Sequence, residues 1–593
     1  MNLPRKIVLI LLLTSFTSRL TTRAQTPSIL AEPGPQLTIQ NLKFKITPYW
    51  QQRVDYTIDV SLNDADRSLD GFIRMFYTNH SPDTLSFIWI HCWPNAYKND
   101  RTAFSDQLLA NGQTDFYFSE KEQKGYINHL DFRVDGAVAK MEDHPEYIDI
   151  VRILLPHPLP PEGKITITTP FHVKLPFNFS RGGYVGNTFQ VTQWYPKPAV
   201  YDSKGWHPIP YLDQGEFYSE FGDFDVRITV PQSFVVAATG ELQNAPGRQE
   251  YPSSSPSEVS SSAAQLAPSA GPASGKPHKP PFSPVAPQQK NKVPSENSGG
   301  VVMSAGHQTP GSAGQQPASQ PTKTLQYRQS NIHDFAWFAN KDFRVDHDTL
   351  QLASGRIIDV YSFYMPSERR NWQYSVRYIK DAVLFRSALI GEYPFNVVTA
   401  ADISMGSSGG MEYPTITGIN THGSARELDI TIEHEVGHNW FYAILGTNER
   451  RYPWMDEGIN TYYDNRYEAL RYPPSSAAML VNTPGTSNQP KKGNNDWLLV
   501  KTPADDYTLL INTLAKEKRD QPISTSSEDF TDDNYDLIAY KKAGLWMRQL
   551  EDSLGTSLFD SCMHQYFVTW QFRHPYPEDF RAVMENTSHR DLH

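Results

Sequence analysis

The strongest chemistry in the 593-residue chain sits in His434-Glu435-Val436-Gly437-His438. Two histidines four positions apart stand about 40° apart around a helix axis, so both imidazoles turn to one side and meet one metal ion. Glu435 lies beside that ion without needing to bind it. Eighteen residues separate His438 from Glu457, which opens a second helical segment in Trp454-Met455-Asp456-Glu457-Gly458. A helix hairpin turning between Gly446 and Tyr452 brings this carboxylate to a third ligand position. Two histidines and one glutamate leave a fourth position open to water, the arrangement of catalytic rather than structural zinc. With 18 histidines in the chain, His-Glu-x-x-His arises by chance in roughly three sequences per hundred, and the added glutamate lowers that to a few per thousand. Chance is therefore a poor explanation, and one Zn2+ per chain is expected.

Such ligands need helices to hold them. From Ala425 to Leu445, residues Leu428, Ile432, Val436, Trp440 and Ile444 recur every fourth position on one stripe, which predicts a helix stopped by Gly446 in a left-handed cap. A second helix is expected from Met455 to Arg471, ahead of Pro473 and Pro474, and a third from Asp533 to Leu554. Trp372 to Gly391 has helical spacing as well. Upstream the period is two. Tyr56 to Leu62, Lys164 to Thr168 and Asp225 to Val230 alternate apolar and polar side chains, which predicts a β-rich domain with one solvated face. Between Pro246 and Thr324 the sequence is mainly Ser, Pro, Ala, Gly and Gln, too poor in large apolar groups to offset the entropy of ordering. The stretch from Gln326 to Val345 again looks like strand, so this tract is an insertion within the β domain.

Composition narrows the function classes. Hydrophobic residues at 39% and charged residues at 20% describe a globular protein. A net charge of −11 offers no basic excess to displace counterions from phosphate, so nucleic acid is not an expected partner. Arg5 and Lys6 precede an apolar run from Ile7 to Phe16, and Thr22-Arg23-Ala24 supplies small residues before a cut ahead of Gln25. This predicts a signal peptide and export to a periplasmic or extracellular location. Ten apolar residues are too few to span a bilayer, so no integral membrane segment is expected after its removal. The two cysteines, Cys92 and Cys562, exclude a disulfide scaffold and are expected to be buried thiols.

Further motifs extend the reading. Gly409-Gly410-Met411-Glu412 precedes the histidine pair, Tyr540-Lys541-Lys542-Ala543-Gly544 follows Glu457, and Thr188 to Trp194 leads into Pro198-Ala199-Val200-Tyr201-Asp202. Together with the histidine and glutamate spacing, these resemble the aminopeptidase N family of zinc metallopeptidases. The resemblance covers most of the ordered chain. It implies that Glu412, in the family's Gly-x-Met-Glu-Asn signature, lies on an edge strand and holds the substrate's free amino group. It also implies that Gly409, Gly410 and Met411 border the substrate, that Tyr540 stabilises the tetrahedral intermediate, and that a glutamine of the β domain assists Glu412. Counting back from Asp202 favours Gln190, with Gln193 nearly as close. Two departures stand out: Tyr413 replaces the signature's asparagine, and glycine and alanine are exchanged after Lys542.

The fold so implied is multidomain β plus α/β, with a β-sandwich or saddle-like N-terminal domain followed by a thermolysin-like, mainly helical catalytic domain. Its boundaries are a signal peptide at 1–24, a flexible N-terminus at 25–36, the β domain at 37–245, the low-complexity insertion at 246–325, the last β-domain strands at 326–347 and the catalytic domain at 348–593. Longer family members continue into another helical domain, and this chain breaks off where more helix is expected. The expected activity is removal of N-terminal residues from peptides with a free N-terminus, with Glu435 as the base that takes a water proton. An endopeptidase using the same centre, and an exported zinc-stabilised binding protein that has lost catalysis, are the competing readings.

Overall fold

Alternating side chains build the first half of the protein as strands, one face of each turned to a shared core. The computed structural model describes residues 49–243, 321–404, 409–473 and 503–592. The expected signal peptide, the flexible N-terminus and most of the low-complexity tract lie outside these residues. The principal sheet contains β1 (Arg53–Asn63), β2 (Ser68–Thr78) and β3 (Lys164–Lys174). A second sheet contains β4 (Thr188–Val191), and the principal sheet is completed by β5 (Gly222–Pro231) and β6 (Thr322–Ile332). Strand β7 (Trp337–Asn340) pairs antiparallel with β4. In the principal sheet the order runs β6, β5, β1, β2, β3, with β1 and β5 parallel and in register at Ile58 and Val226. Trp194 sits between the sheets, against Phe171 on β3 and Trp337 on β7.

The chain thus returns to the β domain after the tract, but earlier than the composition indicated. Thr322 to Leu325 already lie in β6, where Leu325 faces Ile228. At the other end, β8 (Arg344–Gln351) pairs along its whole length with β9 (Ile357–Tyr364). Residues 344–347 therefore belong to the catalytic sheet rather than to the β domain. That sheet is completed by β10 (Val397–Asp402), β11 (Gly409–Tyr413) and β12 (Ile416–Asn420), in the order β8, β9, β10, β12, β11. Strand β11 is consequently an edge.

Helices follow and flank this sheet: α1 (Ser375–Leu389), α2 (Ala425–Gly437), α3 (Glu457–Arg471), α4 (Ala543–Leu554), α5 (Thr556–Trp570) and α6 (Pro577–Ser588). The start of α2 is written in the sequence. Ser424 Oγ accepts from Glu427 N at 3.2 Å while the Glu427 carboxylate accepts from Ser424 N at 2.5 Å, a reciprocal capping box. Its end is not where the apolar stripe suggests. The α-helix stops at Gly437, and the chain continues through wide turns in which Ala443 N donates to His438 O and Leu445 N to Trp440 O. Tyr442 at φ 142° breaks the helical path. Gly446 provides no left-handed cap; its N–H pairs with the Arg573 carbonyl at 3.0 Å. The stripe persists because Trp440 and Ile444 remain fully buried in the turns.

Cys92 and Cys562 are free, buried thiols. Among the described residues no helix is long and apolar enough to cross a membrane.

Candidate active site

Helices α2 and α3 bring three side chains to one point. His438 Nε2 lies 3.2 Å and His434 Nε2 3.4 Å from Glu457 Oε2, and the two imidazole nitrogens are 3.3 Å apart. A tetrahedron built on zinc–ligand bonds of about 2.0–2.1 Å has edges of about 3.3 Å, so the three donor atoms stand at zinc-ligand spacing. Glu457 Oε2 is buried with no hydrogen-bond partner, as expected of an atom reserved for a cation. The local field agrees. Burial opposes charge on His434 and His438, yet Asp464 raises the first well above the usual histidine range, and Glu457 and Glu412 push the second up to about 10. Glu457 is held far below the usual carboxylate range because His438 and His434 outweigh the cost of burial. The donor set fits zinc.

The ring of His434 is fixed from behind. Its Nδ1 lies 2.7 Å from Asp464 Oδ2, and Arg386 donates to Asp464 Oδ1 at 2.8 Å and to Glu433 Oε1 at 2.6 Å. Asp464 was not singled out from sequence, although it stands seven residues after Glu457 on α3, two turns along the same face. His438 Nδ1 is matched to the Phe441 carbonyl at 3.0 Å, a contact made by the turns that replace the end of α2. Both imidazoles therefore present Nε2 to the metal position.

Glu435 lies on the cleft side of α2, 5% exposed, with Oε2 unpartnered. Burial, only partly offset by His434 and His438, pushes its carboxyl up to about 7. Strand β11 passes directly over it: a Cβ on Gly410 would fall 2.4 Å from Glu435 Cγ, so only glycine permits this approach. Two residues on, Glu412 is 5% exposed with Oε1 unpartnered, and burial pushes it up to about 8. One ligand atom each from Glu412, Glu435 and His438 lie within 4.8 Å of one another. Gly409, Gly410, Met411 and Glu412 all line a cleft of about 1030 Å3 between the β domain and the helices.

Tyr540 reaches the same cleft from a π-helical stretch, residues 535–542, that precedes α4. Its hydroxyl donates to Glu457 Oε1 at 2.6 Å. Such wide turns commonly mark functional positions. The close fit depends on Gly458, where a Cβ would meet the Ala539 carbonyl at 2.8 Å and Ala543 Cβ at 2.4 Å.

The two glutamines expected to assist Glu412 do not reach it. Gln190 on β4 donates to the Ser404 carbonyl at 2.6 Å and accepts from Asn178 at 3.1 Å. Gln193 donates to Asp334 at 3.2 Å and accepts from the Tyr413 hydroxyl at 3.4 Å. Both line a separate small cavity beside Trp93 and Trp194 rather than the cleft. Tyr413 follows Glu412 on a strand, so it points to the opposite face and packs into the β domain. Among the β-domain residues that do line the cleft is a carboxylate near Glu412, that of Glu216. Its Oε1 accepts from Arg181 Nη2 at 2.7 Å and from the Tyr535 hydroxyl at 3.2 Å, while Arg450 Nε holds its backbone carbonyl at 3.0 Å. No regular element carries Glu216, which is why periodicity gave no sign of it.

Residues 385–593 match the family profile described as Peptidase family M1 domain. For the catalytic domain this match supports the aminopeptidase N family of zinc metallopeptidases. Zinc is the cofactor the match indicates, in agreement with the donor geometry. Among curated relatives, Aminopeptidase M1-B of Oryza sativa subsp. japonica is 22% identical over 281 residues, which cover 45% of this chain and 29% of that protein. Aminopeptidase Q of Homo sapiens is 22% identical over 156 residues, 26% of this chain and 14% of that protein. The chain spans less than a third of the length of these relatives. An M1 zinc metallopeptidase from Deinococcus radiodurans shares the fold with a TM-score of 0.53 at 13% identity, over 91% of this chain and 90% of that one. A mutant of the same enzyme bound to a Tyr-Ser-Ala substrate aligns at TM-score 0.53 and 14% identity, over 91% of both chains.

Proposed function

We propose that this M1-family protein is an exported zinc aminopeptidase, removing residues one at a time from the free N-terminus of peptides. The observation that carries the reading is Glu412: a buried carboxylate with an unpartnered oxygen, opening on the cleft within 4.8 Å of ligand atoms of Glu435 and His438. A substrate ammonium satisfies that oxygen and so sets the first peptide bond at a fixed reach from the metal ligands. An acylated or internal bond offers no charge there and leaves the carboxylate buried and unpaired.

His434, His438 and Glu457 would hold the zinc, which would supply a Lewis acid to polarise a carbonyl and acidify water. Glu435 Oε is placed to take a proton from a water in the cleft and to return it to the departing nitrogen. The Tyr540 hydroxyl, now on Glu457, is the protein donor available to negative charge developing on the carbonyl oxygen. Asp464 keeps His434 in the tautomer that leaves Nε2 free for the metal. The names of the relatives and the tripeptide held by the Deinococcus radiodurans mutant support a peptide substrate. Export rests on Arg5, Lys6, the apolar run from Ile7 to Phe16 and the small residues before Gln25.

The test compares an amino-acid anilide with the same anilide N-acetylated, for the native protein and for Glu412→Ala and Glu435→Gln. Turnover of the free amine alone, abolished in both variants with zinc retained, is the expected result. Equal cleavage of the acetylated compound by the native protein would overturn the aminopeptidase reading in favour of an endopeptidase.

A further inference from the structure

The inner end of the cleft holds more acid than peptide hydrolysis uses. Glu216, Glu412 and Glu449 each bring one carboxylate oxygen within 4.8 Å of those of the other two. The three residues are 4%, 5% and 1% exposed. In each an oxygen has no hydrogen-bond partner: Glu216 Oε2, Glu412 Oε1 and Glu449 Oε2. Asp456, fully buried with both oxygens unpartnered, adds a fourth carboxylate whose charge acts on Glu449. Burial, and then Asp456, Glu412 and Glu216, push Glu449 far above the usual carboxylate range. Arg181 commits its Nη2 to Glu216 Oε1, Arg450 Nε is spent on the Glu216 backbone carbonyl, and His438 belongs to the neighbouring donor set. Buried carboxylates without cations are costly, and the cost is relieved by a counter-charge.

We propose that Glu216, Glu412 and Glu449 form a second cation site beside the zinc centre, selective for a hard divalent ion. The donor set is oxygen only, unlike the His434–His438–Glu457 set, and oxygen donors suit Ca2+, Mg2+ or Mn2+. Oxygens no more than 4.8 Å apart surround a point that is about 2.8 Å or less from each, so a small contraction reaches a Ca2+–oxygen distance of about 2.3–2.6 Å. Glu216 and Glu412 line the cleft, so the ion enters from the substrate side, and Glu449 closes the site behind them. An ion bound to Glu412 excludes the substrate ammonium and makes the site inhibitory. This competition rests on the amine role proposed for Glu412; the metal binding does not.

Mn2+ is the probe, because it is a weak competitor for a zinc site with imidazole ligands and is read directly by electron paramagnetic resonance. Titrated into the zinc-loaded protein, it is expected to bind at one ion per chain with zinc content unchanged. Affinity should fall at least tenfold in Glu449→Gln and in Glu216→Gln. In the native protein, bound Mn2+ should raise KM for an amino-acid anilide at least fivefold at constant kcat. Absence of Mn2+ binding to the native protein, or equal affinity in Glu449→Gln and the native protein, would overturn the site. Failure of anilide hydrolysis would instead strike the proposed function and leave the Mn2+ stoichiometry to be read on its own.

Discussion

His434 Nδ1 faces Asp464 Oδ2 at 2.7 Å, and Arg386 braces the other oxygen of that carboxylate at 2.8 Å. The contact joins α2 to α3 through a side chain of the candidate zinc site. It fixes the ring's tautomer and rotation before any metal arrives, and partners of this kind strengthen metal binding by about 10–100-fold. Asp464→Asn should therefore weaken zinc binding by about that factor while the far-ultraviolet spectrum is kept. Zinc retention during dialysis against graded chelator concentrations measures it. Retention equal to that of the native protein would mean that Asn460, whose Nδ2 lies 3.3 Å from His434 Nδ1, suffices to hold the ring.

Gly410 makes a sharper prediction, because its demand is purely one of space. A methyl group there lands 2.4–2.5 Å from Glu435 Cγ, Cδ and Oε1, so either β11 or the base must move. Gly410→Ala is expected to leave zinc content unchanged and lower kcat by about 100-fold, the usual cost of displacing a catalytic group by about 1 Å. Metal analysis alongside steady-state kinetics separates this from unfolding. Normal turnover would show that β11 yields freely.

How far the sequence alone led depends on how local each signal is. The grouping of His434, His438 and Glu457 was legible because i, i+4 spacing on a helix is a local geometry, and Glu457 needed only a short connection to meet it. The alternation of β1, β3 and β5 was legible for the same reason. The end of α2 was not: Trp440 and Ile444 keep the helical stripe, while Tyr442, whose carbonyl meets His333 Nε2 at 2.9 Å, bends the chain out of it. Gln190 and Gln193 were misplaced because their directions depend on pairing with strands and loops more than a hundred residues away. Glu216 is positioned by Arg181 and Arg450, contacts that no periodicity reports.

Asp202 predicts how the protein responds to acid. Burial works against its charge, but His207 and Tyr576, with the Lys204 backbone N–H, hold it at about 2 against an ordinary 3.8. A carboxylate with a depressed folded-state pKa contributes stability above its unfolded pKa and loses it as pH falls through the folded one. The window is therefore about pH 4 to 2, and the amount about 2 kcal/mol. Because the Tyr576 hydroxyl donates to Asp202 at 2.5 Å, the loss loosens the start of α6 from the β domain. Thermal unfolding followed from pH 6 to pH 2 should show this component in the native protein and lack it in Asp202→Asn. Identical pH profiles would place the linkage elsewhere.

Tyr540 is the residue whose resting contact differs most from its proposed working one. In the structure its hydroxyl is spent on Glu457 Oε1 at 2.6 Å, an atom of the metal-binding carboxylate. To meet an oxyanion it must give up that bond, so its contribution arises at the transition state more than in the bound substrate. Tyr540→Phe removes only the hydroxyl, and the ring can keep its packing 6.2 Å from that of His434. The expected effect is a fall in kcat of about 100- to 1000-fold with KM little changed, the size found when one oxyanion donor is lost. Zinc affinity should change less than in Asp464→Asn, since Glu457 keeps Oε2 for the metal. A variant whose KM rises while kcat holds would make Tyr540 a substrate-binding group rather than a donor to the transition state.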